Sequence, residues 1–170
     1  MARVYLSLGS NISPHTYISA SLDELTDCFG DLMISSVYES EAVGFDGDNF
    51  LNLVVGIDTE LSVGELSKIL KAIEDKHGRK RTGPKFSGRT LDIDILTYAD
   101  EQGTIDGVVI PRDEITKNAF VLLPLSEIAP ADRHSELGTT FRSLWQQYRE
   151  PQKLWKIDFI WRKRRVSHAH

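Results

Sequence analysis

Two aspartates stand two residues apart in Arg89-Thr-Leu-Asp92-Ile-Asp94-Ile-Leu, among the apolar Leu91, Ile93 and Ile95. On a strand, residues so spaced share a face, so Asp92 and Asp94 project together while their apolar neighbours enter a core. Adjacent carboxylates repel, and the arrangement is stable mainly where a cation sits between or above them. Hard divalent ions such as Mg²⁺ take oxygen ligands, commonly one or two carboxylates plus substrate phosphates. The plain alternative is an exposed edge strand carrying two solvated aspartates. The preceding segment weighs against it. Lys76, Arg79, Lys80, Arg81, Lys85 and Arg89 put six cations within fourteen positions, with His77 among them. Such a run is usually a solvated surface, but here it leads into the acid pair of a chain whose net charge is −5. Arginines and Mg²⁺ together neutralise the charge that spreads over transferring phosphate oxygens. Gly83-Pro84 and Gly88 would let the segment close as a flexible loop over a nucleotide.

Other chemistries are poorly served. There is no Gly-x-x-x-x-Gly-Lys-Ser/Thr loop. Cys28 occupies an apolar helical position and reads as core rather than nucleophile. His15, His77 and His134 are scattered, His168 and His170 are terminal, and none has metal-ligand spacing. A lone cysteine forms no internal disulfide. No secretory signal or bilayer-length apolar run is evident, so a cytoplasmic protein is expected, with no membrane partner. The acidic balance argues against a nucleic-acid partner, and a monomer is expected.

The elements that must hold these residues follow from pattern. Arg3–Leu8 is β-prone and Gly9-Ser10-Asn11 reads as the turn that ends it. Ser13-Pro14 opens a helix with Ile18, Leu22, Leu25 and Phe29 on one side and Gly30 as its stop. Met33–Tyr38 and Phe50–Ile57 read as strands, with a polar loop over Glu39–Asn49. Ser62 and Glu65 form a capping box for a helix ending at Gly78. Thr90–Tyr98 is a strand, Ala99–Asp106 a turn region and Val108–Pro111 a short strand. Asn118–Ile128 and Phe141–Tyr148 are helix-compatible, and Trp155–Trp161 reads as a last strand. The order strand–helix–strand–strand–helix–strand is the α+β ferredoxin-like pattern, an antiparallel sheet with the two helices on one face. At 170 residues a single domain is expected, 1–170, with a basic C-terminal extension over about 151–170. Basic and aromatic residues interleave there, as in RNA- or membrane-surface contacts. A final strand with a solubilising basic end is the reading preferred.

The segment Phe86-Ser-Gly-Arg-Thr-Leu-Asp-Ile-Asp-Ile-Leu resembles the signature of the 6-hydroxymethyl-7,8-dihydropterin pyrophosphokinase family of folate biosynthesis. Leu8-Gly9-Ser10-Asn11, Phe50-Leu51-Asn52, Ile73-Glu74 before His77-Gly78-Arg79, and Phe120 to Pro130 match in order. The resemblance implies a ferredoxin-like fold with helices packed on its faces and three flexible loops around an active-site cleft. It implies transfer of the β,γ-diphosphate of ATP to the hydroxymethyl oxygen of the pterin, leaving AMP. Two Mg²⁺ ions would be held by Asp92 and Asp94. Arg79 and Arg89 would contact the transferring group, with Arg81 as a further loop contact. Lys71, Glu74, Phe86, Ile95, Arg112 and Lys117 would belong to the ATP site. Phe50 and Phe120 would enclose the pterin, Asn52 would bond its polar edge, and Ser40, Val43 and Gly44 would lie beside it. Taken alone, Phe50 and Phe120 read as ordinary core.

The chain also departs from that family's pattern. Glu41 stands where the family usually has proline, Phe86 where it has tryptophan, and Lys71 where it often has glutamine. Arg112 replaces a histidine and Asn118 an arginine, with Asp113, Glu114 and Lys117 between them. A divergent paralogue that binds pterin or nucleotide but catalyses poorly is the alternative this segment suggests. A ferredoxin-like nucleic-acid module is a third reading, opposed by the acid pair and the net charge.

Overall fold

The computed structural model describes residues 1–41, 48–78, 90–150 and 153–169. Strand β1 (Ala2–Ser10) leads into helix α1 (Pro14–Phe29), strands β2 (Met33–Ile34), β3 (Val37–Ser40) and β4 (Phe50–Thr59), helix α2 (Val63–Lys76) and strand β5 (Asp92–Tyr98). A hairpin of β6 (Gly103–Ile105) and β7 (Val108–Ile110) follows, then helices α3 (Glu114–Lys117), α4 (Ala119–Ile128) and α5 (Phe141–Gln147). Strands β8 (Leu154–Ile157), β9 (Phe159–Trp161) and β10 (Arg164–Ser167) complete the described order. The main sheet runs β5-β1-β4-β3-β8, with β2 also paired to β4, and every pairing is antiparallel. This is the ferredoxin-like α+β arrangement that the pattern predicts.

Both faces of the sheet are covered. Val4, Leu6, Leu8, Leu53, Val55, Ile93 and Ile95 pack on one side with Ile18, Leu22 and Leu25 of α1 and Leu66, Leu70 and Ile73 of α2. On the other side Tyr5, Val54 and Leu96 pack with Ile115, with Val121, Leu122 and Leu125 of α4, and with Phe141 of α5. Period-two burial along the strands divides the two sets. The capping box forms as expected: Ser62 accepts from Glu65 N, and Glu65 accepts from Ser62 N. At α1 the position is right but the cap is not. Ser13 is left-handed at φ 43° and uses its backbone carbonyl, not its hydroxyl, to accept from Thr16 and Tyr17.

Several boundaries differ from expectation, each for a local reason. The strand expected over Met33–Tyr38 is broken because the Ser35 hydroxyl takes the ladder position, accepting from Val54 N at 2.9 Å. β1 continues through Gly9 and Ser10, which pair with Asn52 and Leu51, so the expected turn begins later. The region expected to be a turn over Ala99–Asp106 contains β6, and Asp106-Gly107, both at positive φ, make the two-residue hairpin loop. α3 was not foreseen at all. Cys28, expected in the core, is exposed on α1, and its thiol is pushed up by partial burial and then by Glu24 and Asp27.

The strand expected over Trp155–Trp161 bends at Asp158, whose side chain accepts from Ala169 N at 3.0 Å. β8 joins the sheet edge beside β3, while β9 and β10 form a hairpin turning at Arg162 and Lys163, with φ of 52° and 62°. Phe159 and Trp161 enter the core beside α1, and Trp161 Nε1 donates to Asp23 Oδ1 at 3.0 Å. Ser167 accepts from Val37 N at 2.9 Å, tying β10 to β3. Among the described residues no helix is long and apolar enough to cross a membrane.

Phe159 is 2% exposed. Phe159→Ala is expected to lower stability by about 3–5 kcal/mol in urea unfolding; a loss below about 1 kcal/mol would show that the hairpin lies outside the cooperative unit. Buried His134 accepts at Nδ1 from Leu137 N at 3.1 Å, so its neutral form is favoured and burial lowers its pKa. The unfolded chain therefore binds this proton first. Stability is expected to fall as pH drops below the ordinary imidazole value of about 6.5. His134→Gln should flatten that slope in pH-dependent melting curves; an unchanged slope would exclude this histidine as the source.

Candidate functional site

One rung of the sheet runs across four strands. Tyr38 lies opposite Asn52, Asn52 opposite Gly9, and Gly9 opposite Asp92. The neighbouring rung sets Val54 beside Ser7 and Ser7 beside Asp94, and Phe50 lies opposite Ser40. Directly opposed residues of an antiparallel pair point the same way. Ser40, Phe50, Asn52, Asp92 and Asp94 thus look toward the α4 side, where half-buried Phe120 packs on the adjoining apolar cluster. Asn52 Nδ2 donates to Ser40 Oγ at 3.0 Å, which orients the amide; both residues are buried. Gly9 was read as turn, yet it faces the site between Asn52 and Asp92. A Cβ there would lie 3.0 Å from Asn52 Oδ1.

β5 is an edge strand, so its outer backbone groups need partners other than a further strand. Glu74, buried on α2, accepts from Ile93 N at 2.8 Å. Leu96 O accepts from Arg112 N at 2.9 Å. The first bond holds the strand between its two aspartates, and the second brings Arg112 alongside. Arg112 Nη2 lies 3.7 Å from Asp94 Oδ2 and donates to Glu114 Oε1 at 2.8 Å. Burial works against this guanidinium's charge, but Asp94 and Glu114 more than offset it and raise its pKa.

Lys71 is exposed on α2. Lys117 is exposed and donates to Asp113 Oδ2 at 3.0 Å. Ile95 is buried with α1 and α2, on the face opposite the acid pair. Arg79, Arg81, Phe86, Arg89, Val43 and Gly44 lie outside the described residues. The approach to the 42–47 segment is fixed by Asn11 Nδ2 donating to Asp48 O at 3.2 Å and Asn49 Nδ2 donating to Glu39 Oε2 at 2.9 Å. The Arg112 contact with Asp94 has no sequence signal beyond a cation downstream of the pair. That Gly9 is a site residue could have been read from its position at the end of a strand facing the others.

Asp92 and Asp94 are the residues that could hold a metal ion. Both are partly exposed carboxylates on one face. No group of three or more His, Cys, Asp or Glu suited to a metal occurs among the described residues. Two hard oxygen donors without a closed cage fit an ion that completes its shell with phosphates and water.

The chain matches the 7,8-dihydro-6-hydroxymethylpterin-pyrophosphokinase family over residues 5–130. It is 40% identical over 132 residues to the 2-amino-4-hydroxy-6-hydroxymethyldihydropteridine pyrophosphokinase of Aquifex aeolicus, covering 76% of this chain and 82% of that one. With the enzyme of the same name from Porphyromonas gingivalis it shares 39% over 138 residues, covering 76% and 92%. Crystal structures of Plasmodium falciparum HPPK-DHPS share the fold. The wild type gives a TM-score of 0.70 at 15% identity over 98% of this chain and 50% of that one, so the chain spans about half the length of that solved protein. The chain belongs to the 7,8-dihydro-6-hydroxymethylpterin-pyrophosphokinase family and is a diphosphotransferase.

Proposed function

We propose that this enzyme transfers the β,γ-diphosphate of ATP to the hydroxymethyl group of 6-hydroxymethyl-7,8-dihydropterin, in the cytoplasm and as a monomer. The observation that carries the reading is the single rung on which Asn52, Gly9 and Asp92 lie side by side. It supports a pterin edge bonded at Asn52 and phosphates gathered at Asp92 and Asp94, with bare backbone between. The hydroxymethyl oxygen gives up its proton to solvent and forms a bond to the β-phosphorus, the bond from that phosphorus to the α,β-bridging oxygen breaks, and AMP leaves with that oxygen. No residue serves as a covalent nucleophile, so positioning and charge neutralisation carry the rate.

Two Mg²⁺ ions, held by Asp92 and Asp94, would draw charge from the phosphates. Arg79 and Arg89 would bind the transferring group, with Arg81, Lys71, Phe86, Arg112 and Lys117 on the nucleotide. Glu74 keeps the acid-bearing strand in place. Phe50 and Phe120 would enclose the pterin by offset stacking, beside Ser40, Val43 and Gly44. A weakly catalytic binding protein is the second reading, favoured by the acids Asp113 and Glu114 beside Arg112, where a triphosphate would meet like charge.

Incubation with Mg²⁺, ATP and 6-hydroxymethyl-7,8-dihydropterin is expected to yield AMP and the pterin diphosphate on chromatography. ADP in place of AMP would refute diphosphate transfer, and no turnover would favour the second reading. Asp92→Ala and Asp94→Ala are each expected to lower kcat by at least about 10²-fold while circular dichroism stays that of the parent. Near-normal rates in either variant would remove the acid pair from the mechanism.

A further inference from the structure

Arg112 stands between two carboxylates and is bonded to only one. Nε and Nη2 reach Glu114 Oε1 at 3.2 and 2.8 Å, which are hydrogen bonds. Asp94 Oδ2 lies 3.7 Å from the same Nη2, beyond hydrogen-bond distance, so this guanidinium acts on it through charge. The backbone beneath is fixed by Leu96 O at one side and by Ile115 N, which donates to Arg112 O at 3.2 Å, at the other. The side chains of Arg112 and Asp94 are 35% and 37% exposed, so solutes reach both. Glu114 thus keeps the guanidinium close enough to lower the potential at Asp94 and too far to cover its oxygen.

We infer that Arg112 is a tethered counter-ion of Asp94, which keeps the acid pair weak toward divalent cations until nucleotide phosphates draw the guanidinium away. The inference rests on the diphosphate-transfer reading. A guanidinium meets phosphate with two parallel hydrogen bonds, and a triphosphate offers more charge than one carboxylate. With phosphate present, Arg112 stops opposing a cation at Asp94 and adds to the charge neutralisation. Cation and nucleotide then bind cooperatively, each tightening the other by the same factor. Glu114 acts through Arg112 as its positioning residue.

Mn²⁺ binding to the full chain, measured by calorimetry alone and with a non-hydrolysable α,β-methylene analogue of ATP, tests this. Arg112→Met is expected to tighten Mn²⁺ alone about fivefold and to shrink the nucleotide-linked enhancement by at least that factor. Lys117→Met, which removes one charge from the same segment, should leave Mn²⁺ alone within about twofold. Glu114→Gln should weaken Mn²⁺ alone, and that effect should vanish when Arg112 is already Met. Equal affinity of Arg112→Met and the parent for Mn²⁺ alone overturns the inference, as does an equal gain in Lys117→Met. Should Arg112→Met not fold, Arg112→Lys decides: weak Mn²⁺ binding with reduced nucleotide enhancement supports the counter-ion, and tightened Mn²⁺ binding overturns it. If the parent fails to bind Mn²⁺ even with the analogue, the diphosphate-transfer reading falls as well.

Discussion

The carboxylate of Glu74, out of water on α2, accepts the backbone N–H of Ile93 at 2.8 Å. Ile93 separates the two aspartates, and among the described residues β5 has a neighbour in the main sheet on one side only. An edge strand held by one ladder can slip, and a slip of one residue exchanges its faces. Here it would put Asp92 and Asp94 into the apolar layer over α2 and turn Ile93 and Ile95 outward. Glu74 supplies a second anchor from a rigid helix, and the Leu96 carbonyl with Arg112 supplies a third. The same outer edge that needs satisfying is therefore the means by which helix α2 and the Arg112 segment are both indexed to the acid pair.

The two faces of the sheet serve different ends. The α1–α2 side is a continuous apolar layer, closed at its far end by Phe159 and Trp161. The α4 side is packed over Tyr5, Val54 and Leu96, and burial falls off along β5 from Leu96 to Asp94 and Asp92. The apolar layer lies on the face away from the acid pair, while the rung at the margin of the second layer runs from buried Tyr38, Asn52 and Gly9 to the partly exposed Asp92. Ser40, buried and bonded to Asn52, shows how the amide is oriented before any ligand arrives.

Much of this was legible in the sequence because it rests on period. Alternation over Leu91 to Ile95 gave both the strand and the face of the aspartates, and the Ser62–Glu65 box gave the start of α2. What was not legible depends on partners distant in the chain. Ser35 breaks a strand by bonding Val54, and nothing near residue 35 announces that. Arg162-Lys163 carries no turn signature, since its left-handed turn is imposed by burial of Phe159 and Trp161 on either side of Ile160. Asp106-Gly107 did carry one, and the hairpin there could have been read. Helices on both faces also exceeded the simple pattern, because α4 is apolar nearly all round and shows no periodic face. The placement of Arg112 beside Asp94 follows from a backbone bond to Leu96 and has no local cause.

Gly9 contributes no functional group, yet a Cβ there would lie 3.0 Å from the Asn52 amide oxygen, so a side chain would press that amide aside. Its role is negative space. The amide at one end of the rung and the carboxylate at the other can serve one ligand only if nothing stands between them, and the backbone of β1 provides that gap at full hydrogen-bonded rigidity. A substitution here would therefore disturb the rung through the Asn52 amide, although the residue holds no charge. Substitution acts through charge at Asp92 and through filled space at Gly9, and only the geometry of the rung tells the two apart.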